Sequence, residues 1–540
     1  MGYINKKKDT TVDSHLNWMG GTSYDVSDPI MRLRMAASSC FFGEPQYYHT
    51  DKGDKRFRRS GSAAERCRLS SGQINRLRET LDAQDPREWR NMTPAQMMES
   101  AIDAALEYDV AATLEEAVRL RQEEHIRTTP QVILVRAGNY KGAKGKGLVR
   151  YYAKKIIARA DEPAVGLAYQ LSAYGKKAPI PNCLKKSWKD ALERFNEYQL
   201  GKYQMKQRDV KTVDVVNLVH PKSGPVDKLV RGELSNTGKT WEAIISSKGS
   251  TKETWLEAID VMGHMALLRN LRNLWQKEVD PKRYLGKLVE GAKTGKQLPF
   301  RYFAAYNSVK GVGASGIVMD AVEDCLMQSI GNLPRFPGKT MSLCDNSGSA
   351  WGTHTSSAGT MAVAHIANLT GVLAGMCSDD GHLGVFGDEL STMPIRKRSS
   401  VFDQLNSANS SGQKVGHATE NGIWIFWRDA IKKKQHWDNV FIFSDMQAGH
   451  GGLYGLKSSE YRNFIWQGYR GYGQDYIDVP KLINKYRATV NKDVKVFLCQ
   501  VAGYQDTIVP EFYKNTYILG GWGEGLFRFA AEMGKLSYNQ

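Results

Sequence analysis

The sequence predicts two architectures in series, mainly α and then α/β: antiparallel helical repeats over residues 1–338, followed by a doubly wound sheet domain over residues 339–540. Three observations carry this. Through most of the first part apolar residues recur every three or four positions, with no credible strand between them. Two prolines and a glycine then cluster in Leu333-Pro334-Arg335-Phe336-Pro337-Gly338, as in an interdomain connector. Beyond it, short apolar runs alternate with amphipathic ones, the pattern of a mostly parallel sheet covered by helices.

In the first part, Thr93–Glu123 reads as two amphipathic helices. From Asn182 to Tyr203 the period is clear, with Leu184, Trp188, Leu192 and Phe195 on one face and Lys185, Lys186 and Lys189 elsewhere. A further helix is expected to begin near Ser250, where Ser250 and Glu253 have capping-box spacing, and to lead into Met265–Leu271. The first 50 to 80 residues are polar and irregular, and no fixed repeat length is visible, so any repeats are degenerate. In the second part, Thr340–Cys344, His382–Phe386, Asn439–Phe443 and Val494–Cys499 read as buried strands. Helices are expected near Ser356–Met376, Glu420–Lys433, Asp478–Val490 and Gly523–Met533.

Charge is distributed unevenly. The formal net charge is +17, and residues 1–338 carry 54 Lys and Arg against 39 Asp and Glu, whereas residues 339–540 carry 20 against 18. A basic surface on the helical part predicts a polyanionic partner. Seven cysteines without CxxC spacing fit a reducing compartment, and neither a signal segment nor a spanning stretch is evident, so a cytoplasmic protein without membrane insertion is expected. Gly2 does not make a myristoylation motif, because Lys6 stands where Ser or Thr is required.

Two constellations carry chemistry. At the end of the first predicted strand of the second part stands Asp345-Asn346-Ser347-Gly348-Ser349, where doubly wound sheets place their ligands. One carboxylate and two hydroxyls are hard oxygen donors suited to Mg²⁺, and Thr419 and Asp445 lie in loops that could complete the shell. Alone, the pentapeptide could be merely a turn or helix cap, but the strand before it, the helix after it and Asp445 at the next suitable strand end favour the metal reading. No His or Lys is evidently paired there to activate a nucleophile, so the site does not read as hydrolytic, and no enzymatic role is expected.

The second constellation is basic. Lys141, Lys144, Lys146, Arg150, Lys154, Lys155 and Arg159 are interleaved with Tyr140, Tyr151 and Tyr152, and Lys206 and Arg208 precede His220 and Lys222. Cations neutralise phosphates while aromatic rings can stack on unpaired bases. The same residues would also make a solvated face with its tyrosines turned inward. Lys185 and Lys186 belong to the same basic region. Arg269 is expected to be a buried arginine that pins helix termini, with RNA contact as the alternative.

The Asp345, Ser347 and Ser349 pattern, with Thr419 and Asp445, resembles the metal-ion-dependent adhesion site of von Willebrand factor A domains, although His417, Ala418 and Glu420 replace the usual neighbours of the threonine. Asp214-Val215-Val216-Asn217-Leu218-Val219-His220-Pro221-Lys222, Lys252–Trp255, Ala266–Leu271 and Leu298-Pro299-Phe300 resemble signatures of the Ro autoantigen (TROVE) family. Asn217 stands where that family usually has a basic residue. The likeness spans roughly Pro181–Gln540, with a Gly-Gly-aromatic echo at Gly20, Gly21 and Tyr24.

The resemblance implies a closed ring of HEAT-like helical repeats with a basic central hole, followed by a Rossmann-like A domain that closes it and holds a divalent metal, Mg²⁺. It also implies a small structured (Y-like) noncoding RNA on the outer surface and single-stranded 3′ ends of misfolded RNA in the hole, serving RNA quality control or decay. An exoribonuclease or another acidic protein would meet the metal. The rival expectation is a metal-dependent protein-interaction adaptor with an incidental basic ring.

Overall fold

A computed structural model of the chain describes residues 14–16, 22–25, 28–39, 94–205, 208–234, 240–295, 297, 299–331, 333–352, 362–417, 419–444, 465–466, 476–477, 479–501, 506–507, 516–520 and 527. The helical part opens with a hairpin, β1 (Ser14–Leu16) and β2 (Thr22–Asp25), and helix α1 (Pro29–Ser39). This differs from the irregular segment expected there. Strand β2 pairs with Asp506–Thr507, nearly five hundred residues away, so nothing in the local pattern could announce it.

Helices then follow one another: α2 (Pro94–Tyr108), α3 (Val110–Gln122), α4 (Thr128–Asn139), α5 (Leu148–Ile156), α6 (Glu162–Tyr174), α7 (Asn182–Arg194), α8 (Glu197–Lys202), α9 (Thr212–Val219) and α10 (Gly224–Val230). Their packing is that of a solenoid: α3 lies on α5, α5 on α7 and α7 on α9, while α2, α4 and α6 form the second layer. Helix α3 starts at Asp109, whose carboxylate accepts from the Ala111 and Ala112 amides. The predicted Asn182–Tyr203 helix is broken in two, because Asn196 and Gln199 form a capping box that starts α8. Leu184, Trp188 and Leu192 are fully buried as the period requires.

The second half of the array comprises α11 (Trp241–Lys248), α12 (Lys252–Val261), α13 (His264–Gln276), α14 (Leu285–Ala292), α15 (Pro299–Lys310) and α16 (Gly316–Gly331). Helix α12 is capped by Thr251 with Thr254 and not by Ser250, whose hydroxyl instead accepts from the Trp255 indole at 2.9 Å.

The sheet begins inside the expected connector. Strand β3 (Phe336–Asp345) includes Phe336, which is buried against Phe441 and Phe527, and Pro337-Gly338 makes a break in register within the strand. A side chain at Gly338, φ +84°, would collide with the Asp438 carboxylate. The other strands are β4 (Ser378–Phe386), β5 (Leu390–Pro394), β6 (Asn439–Ser444), β9 (Lys495–Gln500) and β11 (Thr516–Gly520), with short β7 (Ile465–Trp466), β8 (Tyr476–Ile477) and β10 (Asp506–Thr507) apart from them. The six run in the order β11-β9-β6-β3-β4-β5, parallel except for β5, an antiparallel edge the sequence did not announce.

Helices α17 (Gly348–Gly352), α18 (Val363–Cys377), α19 (Val401–Gly412), α20 (Glu420–Lys432) and α21 (Val479–Thr489) complete this part. The helix expected at Gly523–Met533 lies outside the described residues except Phe527, as does Ser356–Met361 of the helix before Met376. Among the described helices none is long and apolar enough to cross a membrane.

Helix α18 is buried at every position but His365, since it lies on β3 and β4 and beneath α15, α16 and α19. Gly371 makes this approach possible: a Cβ there would sit 2.4 Å from the Cys344 Sγ. One apolar core therefore runs from α11–α16 into the sheet without a boundary. Tyr306 and Phe402 stack across it with centroids 4.2 Å apart, and Glu323 of α16 caps α19 by accepting from the Ser400 hydroxyl and the Val401 amide.

The other end of the array also returns to the sheet. Helix α1 packs on α2, α3 and β11. It is held by Arg34, which binds Glu116 through Nη2 at 2.6 Å, while Arg119 grips the same carboxylate at 2.7 Å. Burial alone would raise Glu116, but Arg119 and Arg34 bring it below the usual carboxylate value. The expected consequence of Arg34→Met is a loss of about 1.5–3 kcal/mol, the range for a hydrogen bond to a charged group. Hydrogen exchange should accelerate in α1 and β11 while α12–α16 keep their protection; uniform protection in the variant would show that α1 is not the clasp.

Candidate nucleic-acid interface and metal loop

Helices α5, α7 and α9 lie side by side, so the predicted basic residues share one layer. Arg150 binds Asp190 and Arg194 donates to the Lys154 carbonyl, both forty residues on, so α5 and α7 run parallel in a common register. Lys222 meets the C-terminal end of α7 through its amide, which donates to Glu193 at 2.8 Å.

Within this layer the cations differ in availability. Lys141, Lys144, Lys146, Lys154, Lys155, Lys186, His220 and Lys222 are exposed, whereas Lys185 and Arg208 are half-buried and Lys206 lies outside the described residues. Arg150 is bound to Asp190 by two nitrogens at 2.6 and 2.9 Å, which holds that carboxyl below its usual range, so it braces α5 on α7 and is not a free phosphate ligand. Arg159 is likewise tied to Asp161 and lies over the Tyr203 ring. Of the tyrosines, Tyr152 is buried and donates to Glu115, while Tyr151 is exposed beneath the Lys155 ammonium, 5.0 Å from its ring centre. His220 sits at the α9 C-terminus with φ +48° and closes the helix by its amide.

A second basic feature was missed. Arg269 is exposed and not buried as expected: with Arg272 of the same helix and Arg301 of α15 it lines a cavity of about 170 Å³ floored by Met265, Leu268 and Ala305. Partial desolvation pushes Arg301 down, and the positive charges of Arg269 and Arg127 add to it. Arg127 comes from the α3–α4 turn, so four arginines from three separated segments share one field. The i,i+3 spacing of Arg269 and Arg272 was the available signal. The apolar face of α13 obscured it.

The candidate metal loop follows β3. Asp345 is fully buried; its Oδ1 accepts from the Ser347 amide at 2.9 Å and its Oδ2 from the Ser444 hydroxyl at 2.5 Å. Burial raises this carboxyl above the usual range despite those hydrogen bonds. The Ser347 and Ser349 hydroxyls are 3.2 Å apart.

Two further loops lock onto this one. The Asn346 amide donates to Phe386, Gly348 to His417, and Gly422 to Gly387, which brings the loop of buried Thr419 against the pentapeptide. Beneath, Asn346, Asn368 and Asn409 form a buried side-chain chain of hydrogen bonds. Asp445 lies outside the described residues, as does Ala418.

Among the described residues no three His, Cys, Asp or Glu side chains converge, so a metal here would rest on one carboxylate and hydroxyl oxygens. The donor set fits a hard divalent cation: Asp345 is a buried acid with no cationic partner among the described residues, and two hydroxyls face each other beside it.

Comparison with known proteins gives two findings. A family model described as the TROVE domain matches residues 230–319, from the end of α10 to the start of α16. Among solved structures, the Ro (RSR) protein of Deinococcus radiodurans shares the fold with a TM-score of 0.54 at 14% identity, over 80% of this chain and 93% of that one. No curated protein matches by sequence.

Proposed function

We propose that this chain, a member of the Ro family by its TROVE segment and its fold, is a non-enzymatic RNA-binding protein of a small noncoding ribonucleoprotein. The observation that carries the reading is the pairing of two separate basic features. The exposed lysines of α5 and α7, with Lys222, offer a broad positive layer for the phosphates of a structured, Y-like RNA. The cavity lined by Arg269, Arg272 and Arg301, with Arg127 nearby, is narrow and suits a single unpaired strand such as the 3′ end of a misfolded RNA. Guanidinium groups bind phosphate and stack on bases, so the second site favours loose ends over duplex. Selection of RNAs for quality control or decay follows from the need to satisfy both.

Two RNAs separate these roles: one stem-loop with a blunt end and one with a single-stranded 3′ tail. Lys154→Glu with Lys155→Glu should weaken both alike and lower the salt slope by roughly one for each phosphate that is no longer neutralised. Arg269→Glu with Arg272→Glu should weaken only the tailed RNA, by about tenfold or more, equivalent to about 1.4 kcal/mol. Equal affinity of all variants for both RNAs would refute the assignment.

We further propose that Asp345, Ser347, Ser349, Thr419 and Asp445 hold a Mg²⁺ ion, with an exoribonuclease or another acidic protein as the partner it serves. When bound, the ion would offer an open position to a partner carboxylate. Ser444 orients Asp345, and the Asn346–Asn368–Asn409 chain holds the loop. By calorimetry, Asp345→Asn should abolish Mg²⁺ binding with RNA affinity unchanged. Undiminished Mg²⁺ binding would remove the metal, and loss of RNA affinity would show that the two functions are not separate.

A further inference from the structure

At the opposite end of β3 from the metal loop, the C-terminus of α16, the start of β3 and the end of α18 enclose a second cavity of about 170 Å³. Its walls are Met327, Ile330, Leu333 and Met376, and its rim carries Arg335 and Lys397. Met327 is 36% exposed at the mouth, whereas Ile330, Leu333 and Met376 are each under 10% exposed. Neither Arg335 nor Lys397 meets a carboxylate among the described residues. Both reach the Cys377 thiol electrostatically, although burial dominates and pushes that thiol up to about 11. Lys397 belongs to an exposed run, Arg396-Lys397-Arg398, between β5 and α19. Strand β3 spans ten residues, which puts this cavity roughly 30 Å from Asp345.

We propose that this cavity is a docking site for an acidic peptide segment of a partner protein, which inserts one apolar side chain between Met327 and Met376 and sets its carboxylates on Arg335 and Lys397. A cavity of about 150 Å³ holds a benzene-sized group, so one Phe or Leu side chain fits. The floor has thioether and aliphatic groups and no aromatic platform for a base, which favours a peptide over RNA. Unpaired cations around an apolar pocket complement acidic residues flanking an apolar anchor. Because the site joins the last helix of the array to the first strand of the sheet, a peptide seated there would touch both parts. The proposal is independent of the RNA and metal readings above.

The test uses the full chain and a fluorescein-labelled ten-residue peptide of Asp and Gly with one central Phe, read by anisotropy. Saturable binding is expected, weakened about tenfold or more by Lys397→Glu, by Met327→Glu and by replacing Phe with Ser in the peptide. It should be unchanged by EDTA and by Asp345→Asn. Lys397 lies in an exposed loop, so that variant keeps the test sound should Met327→Glu disturb the fold. No saturation by about 1 mM peptide would overturn the proposal. So would equal binding of the Ser peptide, which would mean charge alone, or full competition by oligouridylate, which would make the occupant a nucleic acid.

Discussion

The architecture depends on both ends of the helical array being fixed to one sheet. At one end the core of α13–α16 continues into α18 and α19, with Tyr306 on Phe402 and Glu323 capping α19. At the other, α1 is clasped by the Arg34–Glu116–Arg119 cluster and lies on β11, while β2 takes β10 as a neighbour. An open solenoid gains stability only from nearest neighbours and flexes along its length. Tying its two ends to a common sheet removes that freedom, and a chain so closed can present basic groups from distant segments at fixed separations.

The electrostatics follow from this constraint. Arg127, Arg269 and Arg301 belong to segments that an open array would not hold together, and burial lowers Arg301 with repulsion from Arg269 and Arg127 added to it. Such repulsion costs stability and persists only where the fold over-determines the positions or an anion relieves it. The layer of α5 and α7 is different in kind. There Arg150 and Arg194 are used up in aligning the helices, and the lysines left over face solvent. The candidate metal loop repeats the theme at smaller scale, with two further loops locked onto the one that carries the buried Asp345.

Much of this was legible where the information is local. The loop of Asp345, Ser347 and Ser349 could be placed because it directly follows a buried strand. The buried parallel strands could be read because Val440, Phe441, Ile442 and Phe443 are continuously apolar. Trp188 and its neighbours followed from helical period. What could not be read depends on partners far away in the chain. The β1–β2 hairpin has its third strand near residue 506, and β5, with its Ser-Thr-Met-Pro, becomes a strand only against the edge of β4. Pro337-Gly338 looked like a linker because a bulge inside a buried strand uses the same residues. Arg269 was expected to be buried because it lies on an apolar helix, and only the folded packing shows that its position faces solvent.

Ultraviolet crosslinking of the full chain to an RNA with a structured body and a free 3′ tail, followed by peptide mapping, tests the central claim most directly. The account predicts that the body crosslinks within residues 141–155 and the tail within 265–309, around Arg269, Arg272 and Arg301. Crosslinks confined to residues 339–540, or a tail that maps to the same peptides as the body, would contradict it.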